Sequence, residues 1–222
     1  MCGIFTILNN SIFNRKCLKK HFESCQSLDE DTTRQIIVKS LIPKVDIGYS
    51  SDEPIIINDI ALLCNGEIYN SKELYSLIDV EPTTEYSCEI IIHLYKRYGI
   101  EYTLEVIRGV FSLLLVDYRM TEKCAKLFIA RDPFGVSPLY TLKPIKTKST
   151  NLPTDKIYAF SKDIKTLNDL INENEEESQK YDINHFQPGS YSAFEFPTRI
   201  LASWKLLRDE VKYYTLSIST PI

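Results

Sequence analysis

The sequence predicts an α+β fold, because short apolar runs of strand length alternate with amphipathic segments of helix length. Two pairs of these runs are typical of hairpins, 55–57 with 60–64 and 110–118 with 125–130. The clearest helix spans 87–98, where apolar residues recur at helical spacing and a glycine follows. Hairpins and helices in one chain are typical of the α+β class.

The other elements are predicted from apolar runs and the turn residues between them. Residues 2–8 form the first strand, and the polar stretch 11–39 has an irregular helical period. Ser71 is predicted to cap a short helix, because its hydroxyl can accept a backbone hydrogen bond. The later elements are a short helix at 104–108, a turn at 131–135, an apolar segment at 138–142, an exposed loop at 143–155, a strand at 157–160, a helix at 161–170, an acidic loop at 172–180, a strand at 191–196 and an irregular segment around Trp204. Neither a repeat nor a linker divides the chain, so 2–222 is predicted to be a single domain.

The composition argues against several classes of partner. A net charge of −4 and a pI near 5.5, without a basic cluster, predict that the chain does not bind nucleic acid. No apolar run approaches the roughly 20 residues of a membrane-spanning helix, and the first residues lack the pattern of a signal peptide. We therefore expect a cytoplasmic protein that does not contact a membrane.

The cysteines and histidines do not predict a metal site. The six cysteines include no C-x-x-C pair, and the three histidines are far apart in the chain. The cysteines are expected to be free thiols that are mostly packed in the core. Neither a metal nor an organic cofactor is expected.

Cys2 is the residue with the most evident reactivity, because removal of Met1 would make it the N-terminus. A thiol and a free α-amine would then belong to one residue. An α-amino group has a pKa of about 7.7 to 8.0, so it can accept the proton of the thiol directly or through a water. The alternative is that Cys2 only begins a buried strand, which is the more common role of a cysteine before an apolar run.

A second group of polar residues, Asn65, Gly66 and Glu67, follows directly from the predicted strand 60–64. Polar residues therefore lie at the end of a buried strand. By itself the Asn-Gly pair is also typical of a tight turn between two elements.

Four segments, taken in order, extend this pattern: Met-Cys-Gly-Ile-Phe at 1–5, Asn-Gly-Glu-Ile-Tyr-Asn at 65–70, Gly-Val-Phe-Ser at 109–112 and Arg-Asp-Pro-Phe-Gly-Val-Ser-Pro-Leu-Tyr at 131–140. Together they resemble the class II glutamine amidotransferase domain of asparagine synthetase. Weaker similarity at 88–95, 161–165 and 188–191 extends the resemblance over nearly the whole chain.

The resemblance implies both a fold and a mechanism. The fold would be a four-layer αββα sandwich of the N-terminal nucleophile hydrolase type, with two antiparallel sheets between helices. Cys2 would attack the side-chain amide of L-glutamine, giving a thioester and ammonia, and water would then release glutamate. Its own α-amine would carry the proton. The side chain of Asn65 and the N–H of Gly66 would stabilise the oxyanion, and Glu67 would help to hold the glutamine.

Other residues near these motifs are predicted to be structural. Arg131 and Asp132 would support the site from behind the residues that touch substrate. The residues expected to pack in the core are Cys64, Cys88, Tyr69 and Tyr140.

Two positions depart from the pattern of the family. The family has an arginine that grips the α-carboxylate of glutamine, but the corresponding span 32–51 offers only Arg34, Lys39 and Lys44 as nearby cations. A lysine does not provide the bidentate fork of such an arginine. Ser87 stands where the family has the aspartate that holds the α-ammonium group. Both ends of the amino acid would thus lose an ionic partner.

Two functions remain open from the sequence. The first is hydrolysis of glutamine or a related small-molecule amide, which the retained Cys2, Asn65 and Gly66 favour. The second is a non-catalytic, asparagine-synthetase-like protein with a binding or regulatory role, which Ser87 and the missing arginine favour. The ATP-pyrophosphatase synthetase domain of the family is not found before Ile222, so either a separate synthetase subunit would receive the ammonia or the chain is a relic or fragment.

Overall fold

The structure is a computed structural model that describes residues 4–10, 45–48, 54–119, 124–145, 156–172, 179–197 and 203–214. The strands in these ranges are Phe5–Leu8 (β1), Val45–Gly48 (β2), Ile55–Ile57 (β3), Ile60–Ile68 (β4), Gly109–Asp117 (β5), Cys124–Arg131 (β6), Tyr140–Pro144 (β7), Tyr158–Ser161 (β8), Tyr181–His185 (β9), Ser190–Pro197 (β10) and Lys205–Lys212 (β11). The α-helices are Ser71–Ile78 (α1), Ile90–Val106 (α2) and Ile164–Asn172 (α3), and a 3₁₀ turn at Ser87–Glu89 precedes α2.

The strands form two sheets, and every neighbouring pair in them is antiparallel. The order in the five-stranded sheet is β2-β1-β8-β7-β9, and that in the six-stranded sheet is β11-β10-β6-β5-β4-β3. Both predicted hairpins, β3 with β4 and β5 with β6, are confirmed.

Alternation along β5 shows how the six-stranded sheet is buried on both faces. Leu113 belongs to the cluster that the sheet forms with helices α1 and α2. Its neighbour Leu114 belongs instead to a cluster that includes Leu8 of β1 and Phe160 of β8, in the other sheet. Successive side chains of a strand point to opposite faces, so one apolar run supplies two core layers.

Helix α3 covers the outer face of the five-stranded sheet. Its Leu167 and Leu170 are fully buried and pack with Phe5 and Ile7 of β1. The layers are therefore helices, sheet, sheet and helix, and the expected four-layer αββα sandwich is confirmed. None of the helices in the described ranges combines the length and apolarity needed to cross a bilayer.

Three edge strands were not predicted, and the interior strand β7 was predicted only as an apolar segment at 138–142. The edge strands β2 and β9 flank the five-stranded sheet, and β11 lies at one edge of the six-stranded sheet. An edge strand with an exposed face does not need an apolar alternation, and charged side chains protect it from pairing with other chains. The prediction of an irregular segment around Trp204 is therefore wrong for 205–212, where most side chains are exposed.

Smaller corrections concern the ends of elements. Asn70, rather than Ser71, occupies the N-cap position of α1, and its side chain bonds Val106 O and Arg108 N instead of capping the helix. Gly99 interrupts α2 with φ 81°, but the helix resumes, so the predicted helix 104–108 is the end of α2. The first two residues of the predicted loop 143–155 belong to β7. The helix predicted within 11–39 lies outside the described residues.

Candidate active site

Three of the predicted site residues, Asn65, Gly66 and Glu67, line an open cleft of about 620 Å³ at the end of the six-stranded sheet. It is formed by the last residues of β4, the start of β5, the loop before α2 and the turn that precedes β7. The lining residues are Cys64, Asn65, Gly66, Glu67, Tyr69, Tyr86, Val110, Val136, Ser137 and Pro138. A volume of this size is typical of a site for a small molecule.

Gly66 allows β4 and β5 to approach closely beside the cleft. Its φ is +151°, and a Cβ at this position would lie 1.9 Å from Val110 O. On the facing strand, a Cβ at Gly109 would lie 2.1 Å from Glu67 O. Only glycine fits such contacts, so both glycines are required by the backbone itself.

The backbone of Gly66 faces away from β5, toward the side of β4 where the 3₁₀ turn Ser87–Glu89 lies. Tyr69 N donates to Arg108 O at 2.7 Å. At this end of β4, the backbone groups of odd-numbered residues therefore point toward β5. In an antiparallel ladder the next residues face the other way. Consistent with this, Ile68 N donates to Ser87 Oγ at 3.0 Å, and Cys88 Sγ donates to Gly66 O at 3.6 Å. Strand β3 pairs only with Ile60–Leu62, so it does not cover the Gly66 N–H.

Asn65 is buried and its carboxamide is fixed by the turn before β7. Its Nδ2 donates to Ser137 Oγ at 3.1 Å, and the Ser137 hydroxyl donates to Asn65 O at 3.0 Å. A carboxamide nitrogen carries two hydrogens, so one remains for another acceptor. The Asn65 side chain and the Gly66 N–H thus lie on one short segment of the cleft wall.

Asp132 holds the turn that presents Ser137. Its fully buried carboxylate accepts hydrogen bonds from the backbone N–H groups of Phe134 at 3.0 Å, Val136 at 3.1 Å and Ser137 at 2.9 Å. Three N–H donors on one carboxylate fix the path of the turn, and all three belong to the turn itself. The structural role predicted for Asp132 agrees with these bonds.

Arg131 supports the same turn through backbone carbonyls. Its Nε donates to Ser137 O at 2.7 Å, and the other two nitrogens donate to Phe186 O at 2.8 Å and Gly135 O at 2.7 Å. Burial lowers the pKa of the guanidinium from its ordinary value. Because these guanidinium bonds go to backbone oxygens, Arg131 supports the turn, which agrees with the structural role predicted for it.

The two residues predicted to bind substrate have different surroundings. Glu67 is exposed and lines the cleft, and among the described lining residues it carries the only charge. Ser87 is not among the residues that line the cleft, and its Oγ accepts a hydrogen bond from Ile68 N. The span 32–51 that lacks the family's arginine lies outside the described residues, apart from β2.

Two cysteines and two tyrosines were predicted to pack in the core, and the prediction is wrong for one tyrosine. Cys64 and Cys88 are buried, and Tyr140 is partly buried against the cluster under α3. Tyr69 is 65% exposed and forms part of the cleft wall with Tyr86. An aromatic residue just after a strand can face either the core or solvent, and the sequence alone does not distinguish them.

Glu89 fixes the loop that carries Tyr86 and Ser87 to the cleft. Its buried carboxylate accepts bonds from Thr83 N at 2.8 Å, Thr83 Oγ1 at 3.0 Å and Thr84 N at 2.6 Å. Burial alone would raise its pKa, but the hydrogen bonds from Thr84 and Thr83, with one from His93, lower the pKa to about 2. The role of Glu89 was not predicted, although an acidic residue at the start of a predicted helix is a recognisable signal.

Cys2 lies outside the described residues, but the strand that follows it begins near the cleft. Phe5 of β1 is paired with Ser161 of β8, and Ser161 is paired with Tyr140 of β7. Strands β1 and β7 therefore run parallel on either side of β8 and begin at the same level. Ser137 and Pro138 lie three and two residues before the first residue of β7, and both line the cleft.

Ser137 and Ser112 are the site residues that sequence reasoning missed. Ser112 of β5 is fully buried, and its Oγ lies 3.0 Å from Ser137 Oγ. The only signal for Ser137 was its place in the 131–140 segment, beside the turn. Nothing local distinguishes Ser112 from a serine buried by chance in a strand.

Comparison with known families locates the cleft within a recognised domain. A family model described as a glutamine amidotransferase domain matches residues 39–150, about half of the chain. All the residues named above as lining the cleft fall within this match.

Curated relatives give a similar result over a shorter segment. The protein named asparagine synthetase [glutamine-hydrolyzing] of Gallus gallus is 46% identical over 79 residues. The proteins of the same name from Homo sapiens and Mus musculus are 43% and 44% identical over 79 residues. In each case the aligned segment is 35% of this chain and 13% of the relative.

Proposed function

Since the chain belongs to the glutamine amidotransferase domain family, we propose that it hydrolyses the side-chain amide of L-glutamine to glutamate and ammonia. The observation that carries the proposal is the pair of donors on the cleft wall. Asn65 has one carboxamide hydrogen that is not given to Ser137, and the Gly66 N–H lies on the side of β4 that no strand in the described residues covers. Two adjacent donors of this kind suit the oxyanion of a tetrahedral intermediate.

In the proposed reaction, the thiolate of Cys2 attacks the side-chain carbonyl carbon of glutamine. The carbonyl oxygen becomes an oxyanion that the Asn65 carboxamide and the Gly66 N–H stabilise. The intermediate collapses with cleavage of the C–N bond, and the protonated α-amine of Cys2 gives its proton to the leaving ammonia. Water then attacks the thioester, releasing glutamate and the free thiol.

The chain length between β1 and the N-terminus is compatible with this role for Cys2. Ile4 is buried between the two sheets, and Lys162 N donates to its carbonyl at 3.2 Å. Two residues span at most about 7 Å, so Cys2 is tethered close to the start of β1. The start of β7, beside Ser137, is two strands away, or about 10 Å. The proposal requires that Met1 is removed, because the α-amine must be free.

Glu67 is proposed to contact the ammonium group of the substrate, since it is exposed on the cleft. We further propose a cytoplasmic protein whose ammonia passes to a synthetase, on a separate subunit or elsewhere in a longer chain. The names of the relatives support this part of the proposal, because each is a glutamine-hydrolysing synthetase.

The second candidate is a non-catalytic protein that binds through the same cleft. It is favoured by Ser87, whose Oγ accepts the backbone hydrogen bond of Ile68 and does not line the cleft. A substrate ammonium would have to be held without the carboxylate that the family places there.

The test is release of glutamate and ammonia from L-glutamine by protein whose intact mass shows that Met1 is absent. We expect equal amounts of both products, complete loss of release in Cys2→Ala, and unchanged release in Cys124→Ala. Cys124 is a matched control, because it is a cysteine at the end of β6 remote from Arg131 and the cleft. No release by correctly processed wild-type protein would contradict the proposal and favour the binding role.

A further inference from the structure

Three buried side chains from three separate elements meet behind the cleft wall. Asn65 of β4 is 7% exposed, Ser137 of the turn before β7 is 4% exposed, and Ser112 of β5 is fully buried. The Ser137 hydroxyl is central, because it contacts the Asn65 side chain, the Asn65 carbonyl and the Ser112 hydroxyl at 3.1, 3.0 and 3.0 Å. Asn65 and Ser137 are 72 residues apart in the chain.

The donor and the acceptor in each of these hydrogen bonds can be assigned by counting the available hydrogens. A serine hydroxyl donates one hydrogen and accepts two bonds. The single hydrogen of Ser137 goes to Asn65 O, which can only accept. Ser137 Oγ must therefore accept from both other partners, so the Ser112 hydroxyl is the donor in their contact. For the same reason, the Asn65 atom that faces Ser137 must be the nitrogen of the carboxamide and not its oxygen.

We propose that Ser137 is a positioning residue that fixes the orientation of the Asn65 carboxamide, with Ser112 completing the hydrogen bonding of its hydroxyl. The inference rests on the proposed function, in which Asn65 is an oxyanion donor. If the carboxamide turned over, its oxygen would replace the nitrogen, and an acceptor would stand where the reaction needs a donor. Ser137 prevents this, because its own hydrogen is already committed to Asn65 O and cannot satisfy a carboxamide oxygen.

Ser137 is itself held on both sides of its peptide. Its N–H donates to Asp132 Oδ2 at 2.9 Å, and its carbonyl accepts from Arg131 Nε at 2.7 Å. The hydroxyl therefore has little freedom to follow Asn65 if the strand moves. A donor that is already oriented needs no rearrangement when the oxyanion forms, which is the origin of its catalytic value.

The kinetic arm of the test uses Ser137→Ala and the conservative Ser137→Thr. Removal of a whole oxyanion donor lowers kcat by about 100- to 1,000-fold in a well-studied protease, so a misaligned donor should cost about 10- to 100-fold. KM should stay within about twofold, because the oxyanion exists only in the transition state. Ser137→Thr keeps the oxygen and should remain within about fivefold of wild-type kcat. The matched control is Ser76→Ala, an exposed serine of α1 that bonds Lys72 O.

A second arm reads the carboxamide directly and needs no activity. In ¹⁵N-labelled wild-type protein, one Asn65 side-chain amide proton should show a nuclear Overhauser effect to the β protons of Ser137. Its shift should lie well downfield of its geminal partner. The two proton shifts should converge in Ser137→Ala. In Ser112→Ala, the nuclear Overhauser effect and the separation of the shifts should both be retained, because the contact between Asn65 and Ser137 stays in place.

Each outcome decides the inference separately from the proposed function. Suppose that wild-type protein hydrolyses glutamine. The positioning role would then be overturned if Ser137→Ala left kcat unchanged, or if the variant lost activity only through a higher KM. If wild-type protein is inactive, the proposed function fails, and the spectra decide alone. Unchanged Asn65 amide shifts in Ser137→Ala would then refute the positioning role. If Ser137→Ala does not fold, the wild-type spectrum decides: absence of the nuclear Overhauser effect between Asn65 and Ser137 would refute the positioning role.

Discussion

Gly66 is required by the packing of β4 against β5, and a second, proposed role is that of an oxyanion donor. A Cβ would lie 1.9 Å from Val110 O and 2.7 Å from Phe111 Cα, so the close approach of β4 and β5 depends on glycine. The N–H of the same residue faces away from β5, and we propose it as an oxyanion donor. The sequence predicted the second role but not the first, because the contact joins two strands that are far apart in the chain.

Gly66→Ala is therefore expected to lower both stability and activity. Backbone atoms cannot move aside as a flexible side chain can, so overpacking and the unfavourable φ should lower the free energy of unfolding by about 1 to 3 kcal/mol. Urea unfolding followed by circular dichroism measures this loss. Gly99→Ala is the matched control, since its φ is 81° but no atom lies within 4 Å of the added Cβ. A Gly66→Ala protein no less stable than Gly99→Ala would contradict the close packing described for β4 and β5.

The candidate site was predictable to the extent that its chemistry lies in a local motif. Asn65, Gly66 and Glu67 are adjacent, and all three line the cleft. Ser137 and Ser112 were not predictable, because their role comes from contacts between strands and a turn. Ser87 shows the converse, since its position in a motif suggested substrate binding but its hydroxyl accepts the bond from Ile68 N.

At the level of elements, the loop before α2 depends on one buried carboxylate. Glu89 is the last residue of the 3₁₀ turn, and its carboxylate replaces water as the partner of the backbone at Thr83 and Thr84. The loop carries Tyr86 to the cleft wall. The geometry of the loop therefore depends on the ionisation of a residue that does not line the cleft.

Stability should depend on pH through Glu89 in a defined direction. Its pKa is lowered from 4.5 to about 2, so the folded state favours the ionised form. The stabilisation, up to about 3 kcal/mol, is complete above pH 4.5 and is lost as the pH falls toward 2. Glu89→Gln should be less stable than wild type at pH 7, and the difference should shrink across this window. Urea midpoints measured from pH 7 to pH 2.5 test this. The urea midpoint of the exposed-site control Glu105→Gln should match that of wild type at every pH. A difference between Glu89→Gln and wild type that stays constant with pH would rule out the linkage.

Edge strands explain which elements could be predicted from local sequence. The interior strands β4, β5 and β6 are buried on both faces and gave clear apolar runs. The edge strands β2, β9 and β11 were missed. Every side chain of β9 and β11 is partly or fully exposed, so their sequences carry little periodicity. Their place in the sheets is set by pairing with distant neighbours, which a local pattern cannot show.

At the scale of the whole molecule, the cleft brings the end of β4 in one sheet together with the turn before β7 of the other. Strand β4 supplies Asn65 and Gly66 from the six-stranded sheet, while β1 and β7 begin at the same level in the five-stranded sheet. The αββα architecture followed from the family resemblance rather than from local patterns. A single domain over 2–222 stays a prediction, as do the roles of Cys2 and of the span 32–51.

The central claim is that Cys2 forms a thioester with glutamine beside the Asn65 and Gly66 donors. The most direct measurement is mass spectrometry of acid-quenched, Met1-processed protein mixed with L-glutamine, followed by peptide mapping. We expect a glutamyl group on the Cys2 peptide that hydroxylamine removes, and none in Cys2→Ala. A correctly processed protein that turns over glutamine with no acyl group on Cys2, or with the group on another residue, would contradict the mechanism.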